Sequence, residues 1–131
     1  MAHPSQVAYF NEPVEKQLGF AAIVQTDKTL RLSGIVAVDA ALNVVGKGDI
    51  AAQVKRIYDI MEETLAMNGA TLEHVVNEVI YTTDMAAFAQ AGAARAQRYA
   101  KCAAPATTAV QVSGLFLPDA MIEIQATAVL P

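Results

Sequence analysis

A long amphipathic pattern near the middle of the chain is the feature that most constrains its fold. Its apolar side chains recur three and four residues apart and form one stripe: Val54, Ile57, Tyr58, Met61 and Leu65. Asp49 is a good N-cap and Gly69 is a good C-terminal stop, so the pattern predicts a helix over 49–68. A helix with one apolar stripe must pack that stripe against another layer of structure.

Five further segments have the branched or alternating composition that is typical of strands: 21–25, 29–33, 75–83, 107–113 and 121–129. Asp84 caps a second, alanine-rich helix, which is expected to extend to about Lys101. The order strand–strand–helix–strand–helix–strand–strand predicts an α+β domain. We expect one mixed β-sheet with two α-helices packed on one of its faces.

Length and composition predict one domain. The chain has 131 residues, of which 54% are apolar, which is enough for a single core over 1–131. Residues 1–20 are expected to form an irregular N-terminal segment, because Pro4 and Pro13 interrupt any helix there.

Charge and cysteine content narrow the classes of function. The net charge is −4 and the nine Lys and Arg residues are scattered, so no nucleic-acid partner is expected. No stretch approaches the roughly 18 apolar residues of a membrane span, and the start of the chain lacks a signal-peptide pattern, so no membrane partner is expected. The single cysteine, Cys102, fits a reducing compartment. We therefore expect a cytoplasmic protein.

Two helices on one face leave the other face of the sheet open, and the period-two pattern indicates what it carries. Glu123 alternates with apolar residues in the last strand, and Arg31 alternates with leucines in an early strand. Ser33 shares the strand face of Arg31. Opposite charges in strands that lie close together make this open face the candidate site. Thr108 is expected to face the core, so Thr107 faces the other way.

These segments resemble the YjgF/Rid family of reactive-imine deaminases, because several short motifs occur in that family's order. The motifs are Leu32-Ser33-Gly34, Asp49-Ile50-Ala51-Ala52-Gln53, Asn68-Gly69-Ala70-Thr71-Leu72, Thr83-Asp84-Met85, Pro105-Ala106-Thr107-Thr108-Ala109-Val110 and Ile122-Glu123-Ile124-Gln125-Ala126. The resemblance covers nearly the whole chain from about Gly19. It implies a chorismate-mutase-like fold, a homotrimer with clefts between subunits, a small-molecule substrate, and neither a metal nor an organic cofactor.

The resemblance also implies a mechanism and assigns site residues. In the active deaminases an arginine grips the substrate carboxylate. A glutamate in the last strand positions the water that hydrolyses a 2-imino acid to a 2-keto acid and ammonia. Glu123 matches that glutamate and is the expected catalytic residue. Ser33 and Gly34 match the family's Ser-Gly pair and are expected to contact the substrate.

Three departures from the family pattern fall at this site. Thr107 occupies the position of the family's arginine. Phe20 occupies the position of a tyrosine usually found before the first strand, and Ile35 that of a glutamine that commonly follows the Ser-Gly pair. We expect all three residues to contact the substrate. A hydrogen bond to a charged group is worth about 1.5–3 kcal/mol, whereas threonine offers one neutral hydroxyl. We therefore expect a substrate unlike the usual 2-imino acids. Arg31 either replaces the lost arginine or forms an ion pair at the surface or an interface.

Two functions remain open on the sequence alone. One is a hydrolase that deaminates an imine or enamine through Glu123, and the other is a non-catalytic trimer that binds a metabolite in the same cleft. Independently of that choice, Glu123 either acts on the substrate or is a sheet-face carboxylate that pairs with a neighbour's arginine at a subunit interface. The acidic charge disfavours the ribonuclease label sometimes given to this family.

His3 and His74 lack metal-ligand spacing, so no metal is expected. The loop over 114–118 is expected to lie beside the cleft.

Overall fold

Within residues 6–131, the part that this computed structural model describes, seven strands form one sheet and four α-helices accompany it. In chain order the elements are β1 (Gln6–Ala8), α1 (Glu12–Leu18), β2 (Ile23–Thr26), β3 (Thr29–Leu32), β4 (Ile35–Val36), α2 (Ile50–Ala66), β5 (Val75–Thr82), α3 (Met85–Gln90), α4 (Gly92–Arg98), β6 (Ala106–Gln111) and β7 (Ile122–Val129). Over this range no helix has the length and apolar character needed to cross a membrane.

The sheet is mixed, as predicted. Its strand order is β1-β2-β3-β7-β5-β6, and β4 also pairs with β7. The pair β5–β6 is parallel, whereas all the other pairs are antiparallel. Strand β7 is therefore central, with β3 and β4 on one side and β5 on the other. The predicted α+β fold with one mixed sheet is confirmed.

The predicted central helix forms and its apolar stripe is buried. Asp49 caps α2 by accepting a hydrogen bond from the Ala52 N–H at 3.1 Å. All five residues of the stripe are inaccessible to solvent. They pack over the apolar side of the sheet, which carries Ile80, Ile122 and Ile124. Burying a side chain of this size stabilises a fold by about 1.5–3 kcal/mol, so this helix–sheet layer is the main source of stability.

The irregular segment predicted over 1–20 is wrong for the part that the structure describes, where β1 and α1 form. Asn11 caps α1 by accepting a hydrogen bond from the Val14 N–H. Pro13 falls in the first helical turn, where its missing N–H is not needed and its fixed φ is favourable. The expectation for Pro4 lies outside the described residues.

The second predicted helix is divided into α3 and α4, which meet at Ala91. Gly92 follows this break, and glycine in a helix interior costs about 1 kcal/mol relative to alanine. Both parts contact α2, so the helical layer is preserved although the predicted continuous helix is not.

Strand β6 presents its side chains in the opposite sense to the prediction. Thr107 pairs with Glu78, which contacts Tyr58 of α2, so Thr107 lies on the helical side of the sheet. Thr108 pairs with Val79 on the open side and does not face the core. All six residues of this edge strand are exposed. The strand therefore has no apolar alternation strong enough to reveal its orientation.

Candidate active site

Glu123 lies on β7 between Val36 of β4 and Tyr81 of β5, with its side chain on the face away from α2. The side chain is half-buried, and burial raises the pKa of its carboxyl above the ordinary value. No group within residues 6–131 donates a hydrogen bond to this carboxylate. Glu123 is thus a partly desolvated carboxylate with free acceptor capacity, which suits it to act as a base.

The loop that follows β3 makes room for this carboxylate at Gly34. A Cβ atom at this position would lie 2.2 Å from Oε2 of Glu123 and 2.8 Å from its Cδ. Contacts that short do not occur between side chains, so only glycine lets the carboxylate occupy its present position.

Ser33, immediately before this glycine, fixes a second wall of the site. Its Oγ donates a hydrogen bond to the carbonyl oxygen of Ala21 at 2.6 Å, and its backbone N–H donates to that of Ala22 at 2.9 Å. These bonds hold the segment that follows α1, which includes Phe20, against the end of β3. The serine hydroxyl proton is committed to the backbone, so its oxygen faces a ligand as an acceptor.

The carboxylate opens into a cavity of about 390 Å³, a size typical of small-molecule sites. Its polar lining is Ser33, Gly34 and Glu123, and the remaining lining residues are apolar: Leu18, Phe20, Val36, Val38, Leu42, Phe116 and Leu117. The loop predicted to lie beside the cleft therefore contributes Phe116 and Leu117. Neither lysine nor arginine lines this cavity within the described part of the chain. The site is apolar, with a single acidic group.

Two of the predicted site residues lie away from the cavity on this chain. Arg31 pairs with Thr127 on β7, four residues along the strand from Glu123, which corresponds to about 13 Å. Its side chain is exposed. Thr107 is on the helical side of β6, where its Oγ1 accepts a hydrogen bond from Arg95 at 2.8 Å and donates one to the Pro105 carbonyl oxygen at 3.0 Å.

The other predicted residues are close to Glu123. Phe20, Ser33 and Gly34 share the larger cavity with it. Ile35 is buried in the core and lines only a smaller adjoining cavity of about 90 Å³. The structure therefore brings together four of the seven predicted residues around one cavity.

Comparison with known proteins agrees with the fold and the motifs. Residues 12–130 match the model of the family described as Endoribonuclease L-PSP. A crystal structure of a member of the YjgF/YER057c/UK114 family from Mycobacterium tuberculosis superposes with a TM-score of 0.83 at 28% identity, covering 96% of this chain and 99% of that one. The chain belongs to the YjgF/Rid family.

Two relatives of this YjgF/Rid protein are similar over most of their length. Protein DfrA from Myxococcus xanthus is 33% identical over 132 residues, which is 98% of this chain and 99% of that protein. The 3-aminoacrylate deaminase RutC from Acinetobacter baylyi is 31% identical over 109 residues, which is 83% of this chain and 85% of that protein.

The YjgF/Rid protein contains a second carboxylate that the sequence reasoning missed. Glu78 lies on the helical side of β5 and is 0% exposed. It accepts five hydrogen bonds. Tyr58 Oη donates to both of its oxygens at 2.9 Å, Tyr99 Oη donates to Oε2 at 2.6 Å, and Nε and Nη2 of Arg95 donate to Oε1 at 3.1 and 2.5 Å.

Burial, and then the nearby Glu78, raise the pKa of Tyr58 and of Tyr99, so both phenols stay protonated as donors. The Arg95 guanidinium lies beside Thr107 but is committed to Glu78, so it is a structural charge in this arrangement. A signal for this cluster is present in the sequence, because Glu78 occupies a core position of β5 in alternation with Ile80 and Thr82.

Metal binding has no support in residues 6–131, where no three His, Cys, Asp or Glu side chains are close enough to share an ion. His74 instead accepts a hydrogen bond from the Thr71 N–H at 3.0 Å and caps a 3-10 turn over Leu72–His74.

Proposed function

We propose that this YjgF/Rid protein is a hydrolase that deaminates an imine or enamine, with Glu123 positioning the attacking water. The observation that carries the proposal is a half-buried carboxylate that has no hydrogen-bond partner among residues 6–131, at the wall of an apolar cavity of about 390 Å³. A raised pKa makes this carboxylate a stronger base, and a positioned base accelerates reactions by about 10²–10⁴-fold. The name of the relative RutC, a 3-aminoacrylate deaminase, supports the same reaction class.

The proposed reaction consumes one water for each ammonia released. Water attacks the carbon of the protonated imine while Glu123 accepts one of its protons, which gives a neutral carbinolamine. Glu123 returns this proton to the nitrogen and then accepts the proton of the carbinol hydroxyl as the C–N bond breaks. The products are a carbonyl compound and ammonia, which leaves as ammonium with the last proton. An enamine enters the same sequence after protonation of its carbon. A protonated imine is cationic, so the Glu123 carboxylate also favours its binding.

The cavity favours a substrate without a carboxylate. Neither lysine nor arginine lines it within residues 6–131, and Glu123 would repel a second anion. Removing a carboxylate from water without a partner is costly. We therefore propose an imine or enamine that carries no carboxylate, unlike the usual 2-imino acids.

Assembly and location form part of the same proposal. The exposed edge strand β6 is available to a neighbouring copy of the chain, which supports the homotrimer that the family resemblance implies. The low cysteine content and acidic charge support a cytoplasmic location.

Ammonia release from imines generated in solution tests the proposal. The substrates are 2-iminobutyrate and the uncharged three-carbon imine that remains when its carboxylate is replaced by hydrogen. We expect faster turnover of the uncharged imine, and a kcat reduced by about 100-fold or more in Glu123→Gln. The exposed Glu63 of α2 provides the control, and Glu63→Gln should retain full activity. Wild-type activity in Glu123→Gln would overturn the proposal.

A second candidate is a non-catalytic metabolite-binding protein, which is favoured because no cationic side chain of the described residues lines the cavity. It predicts saturable binding by calorimetry with no product formed. In that case Glu123→Ala weakens binding and abolishes no reaction. Turnover by the wild-type protein excludes this candidate.

A further inference from the structure

The smaller cavity contains a carboxylate that the proposed reaction does not use. Glu15 lies on α1, is only 4% exposed, and lines the cavity of about 90 Å³. Its Oε1 accepts a hydrogen bond from the Phe10 N–H at 2.9 Å. Its Oε2 has no hydrogen-bond partner, and no cation pairs with it, anywhere in residues 6–131. This oxygen keeps some accessible surface, unlike the buried and unpaired Oδ1 of Asn68, so it is open to a hydrogen-bond donor bound in the cavity.

The two cavities adjoin. They share six lining residues: Phe20, Ser33, Gly34, Val36, Val38 and Leu42. Glu123 lines one of these adjoining cavities and Glu15 lines the other. The smaller cavity has about three times the roughly 30 Å³ that one water occupies in the liquid, which suits an amino group and one or two methylenes.

The polar side chains that line the two cavities present acceptors. The Ser33 hydroxyl donates its proton to the Ala21 carbonyl oxygen, and the Thr64 hydroxyl donates its proton to the Ile60 carbonyl oxygen at 2.8 Å. Neither lysine nor arginine lines either cavity within the described chain. A ligand that fills both cavities must therefore supply the donors itself, and a protonated amine supplies both donors and positive charge.

We propose that Glu15 binds a protonated amino group at the end of the substrate opposite the reacting carbon. The substrate class is then an imine or enamine that carries a further amino group, of the kind formed from a diamine. The placement of the reacting carbon at Glu123 rests on the proposed function, whereas binding of an ammonium group at Glu15 is testable without turnover.

Calorimetric binding of two unreactive amines provides that test. The probes are 1,4-diaminobutane and the matched monoamine 1-aminobutane. We expect the wild-type protein to bind the diamine at least about tenfold more tightly, and Glu15→Gln to lose this preference. Glutamine can still accept the Phe10 N–H bond, so the fold is retained, which a melting curve verifies. Glu12 lies on the same helix but is exposed and pairs with Lys16, so Glu12→Gln is the control and should keep the preference.

The outcomes separate this inference from the proposed function. Equal binding of the two amines, or a preference that survives in Glu15→Gln, overturns the assignment of Glu15. If an uncharged imine is still hydrolysed through Glu123, the proposed function is unaffected by that result. If the diamine preference depends on Glu15 but no imine is hydrolysed, the ammonium site stands and the hydrolase proposal fails.

Discussion

Glu78 and Glu123 lie on neighbouring strands of one sheet and on its opposite faces, yet their surroundings differ completely. Glu78 is fully buried and accepts five hydrogen bonds from two tyrosines and an arginine. Glu123 is half-buried, and no group in the described chain donates a hydrogen bond to it. The more buried carboxylate is thus the better satisfied one. Unused acceptor capacity, rather than burial, distinguishes the candidate catalytic residue from the structural one.

This contrast predicts that substitutions of the two carboxylates change different properties of the protein, stability for Glu78 and turnover for Glu123. Loss of Glu78 should lower the free energy of unfolding, because its partners are left with buried donors. Loss of Glu123 should lower turnover without lowering stability, because no polar group among the described residues pairs with its carboxylate. Each prediction below separates these two effects.

The largest expected effect on stability follows from Glu78→Ala. The substitution leaves the Arg95 guanidinium without its buried partner, and breaking a buried ion pair in this way costs about 3–5 kcal/mol. Urea unfolding measures this loss. The control is Glu73→Ala at an exposed position, where less than about 0.5 kcal/mol should be lost. A loss below about 1 kcal/mol for Glu78→Ala would show that the cluster is not structural.

Tyr99→Phe removes one donor from the same cluster while keeping the ring that packs edge-on against Tyr58. Hydrogen bonds to charged groups are worth about 1.5–3 kcal/mol, so the free energy of unfolding should fall by that amount. The deaminase rate at a temperature where the variant is folded should not change. A large fall in kcat would connect the cluster to catalysis and contradict the separation.

Gly34→Ala tests the candidate site from the opposite direction. The new Cβ would approach Oε2 of Glu123 to 2.2 Å, so the carboxylate must move away from its present position. Small displacements of a catalytic group reduce rates strongly, and we expect kcat/KM to fall by about tenfold or more. Gly92→Ala is the matched control, because nothing lies within 4 Å of a Cβ added there and Gly92 begins α4, outside the lining of the cavity. Equal kinetics for the two variants would contradict the proposed position of Glu123.

The pH dependence gives the smallest effect. Burial raises the pKa of Glu123, so the acid limb of kcat/KM should lie above the ordinary range for a glutamate, with activity rising as the carboxyl loses its proton. The free energy of unfolding changes with pH in the opposite direction to kcat/KM. The folded state holds this proton to higher pH than the unfolded state, so stability falls as pH rises from the unfolded pKa through the folded one. Glu123→Gln should remove that fall, as melting curves at several pH values would show.

The sequence was sufficient for the parts of the fold that local periodicity determines. The stripe of α2 and its Asp49 cap are local signals, and both are found in the structure. Helix α1 also had a local signal, the Asn11 cap followed by Pro13 in the first turn, but the proline was interpreted as a helix breaker.

The positions of the site residues depend on the register in which the strands pair, and no local sequence pattern reveals that register. Arg31 and Glu123 do lie on paired strands, but the β3–β7 register places them four residues apart. The orientation of Thr107 is set by its parallel pairing with Glu78 on an exposed edge strand. Glu78 and Arg95 are 17 residues apart in the sequence, and their contact arises only from packing α4 on the sheet.

The turnover of Glu123→Gln on an uncharged imine, measured together with its melting temperature, tests the central claim most directly. We predict a kcat at least about 100-fold below that of the wild-type protein, with a melting temperature that is unchanged or higher. Turnover that stays within about threefold of wild type would contradict the account, and so would a loss of activity that accompanies unfolding.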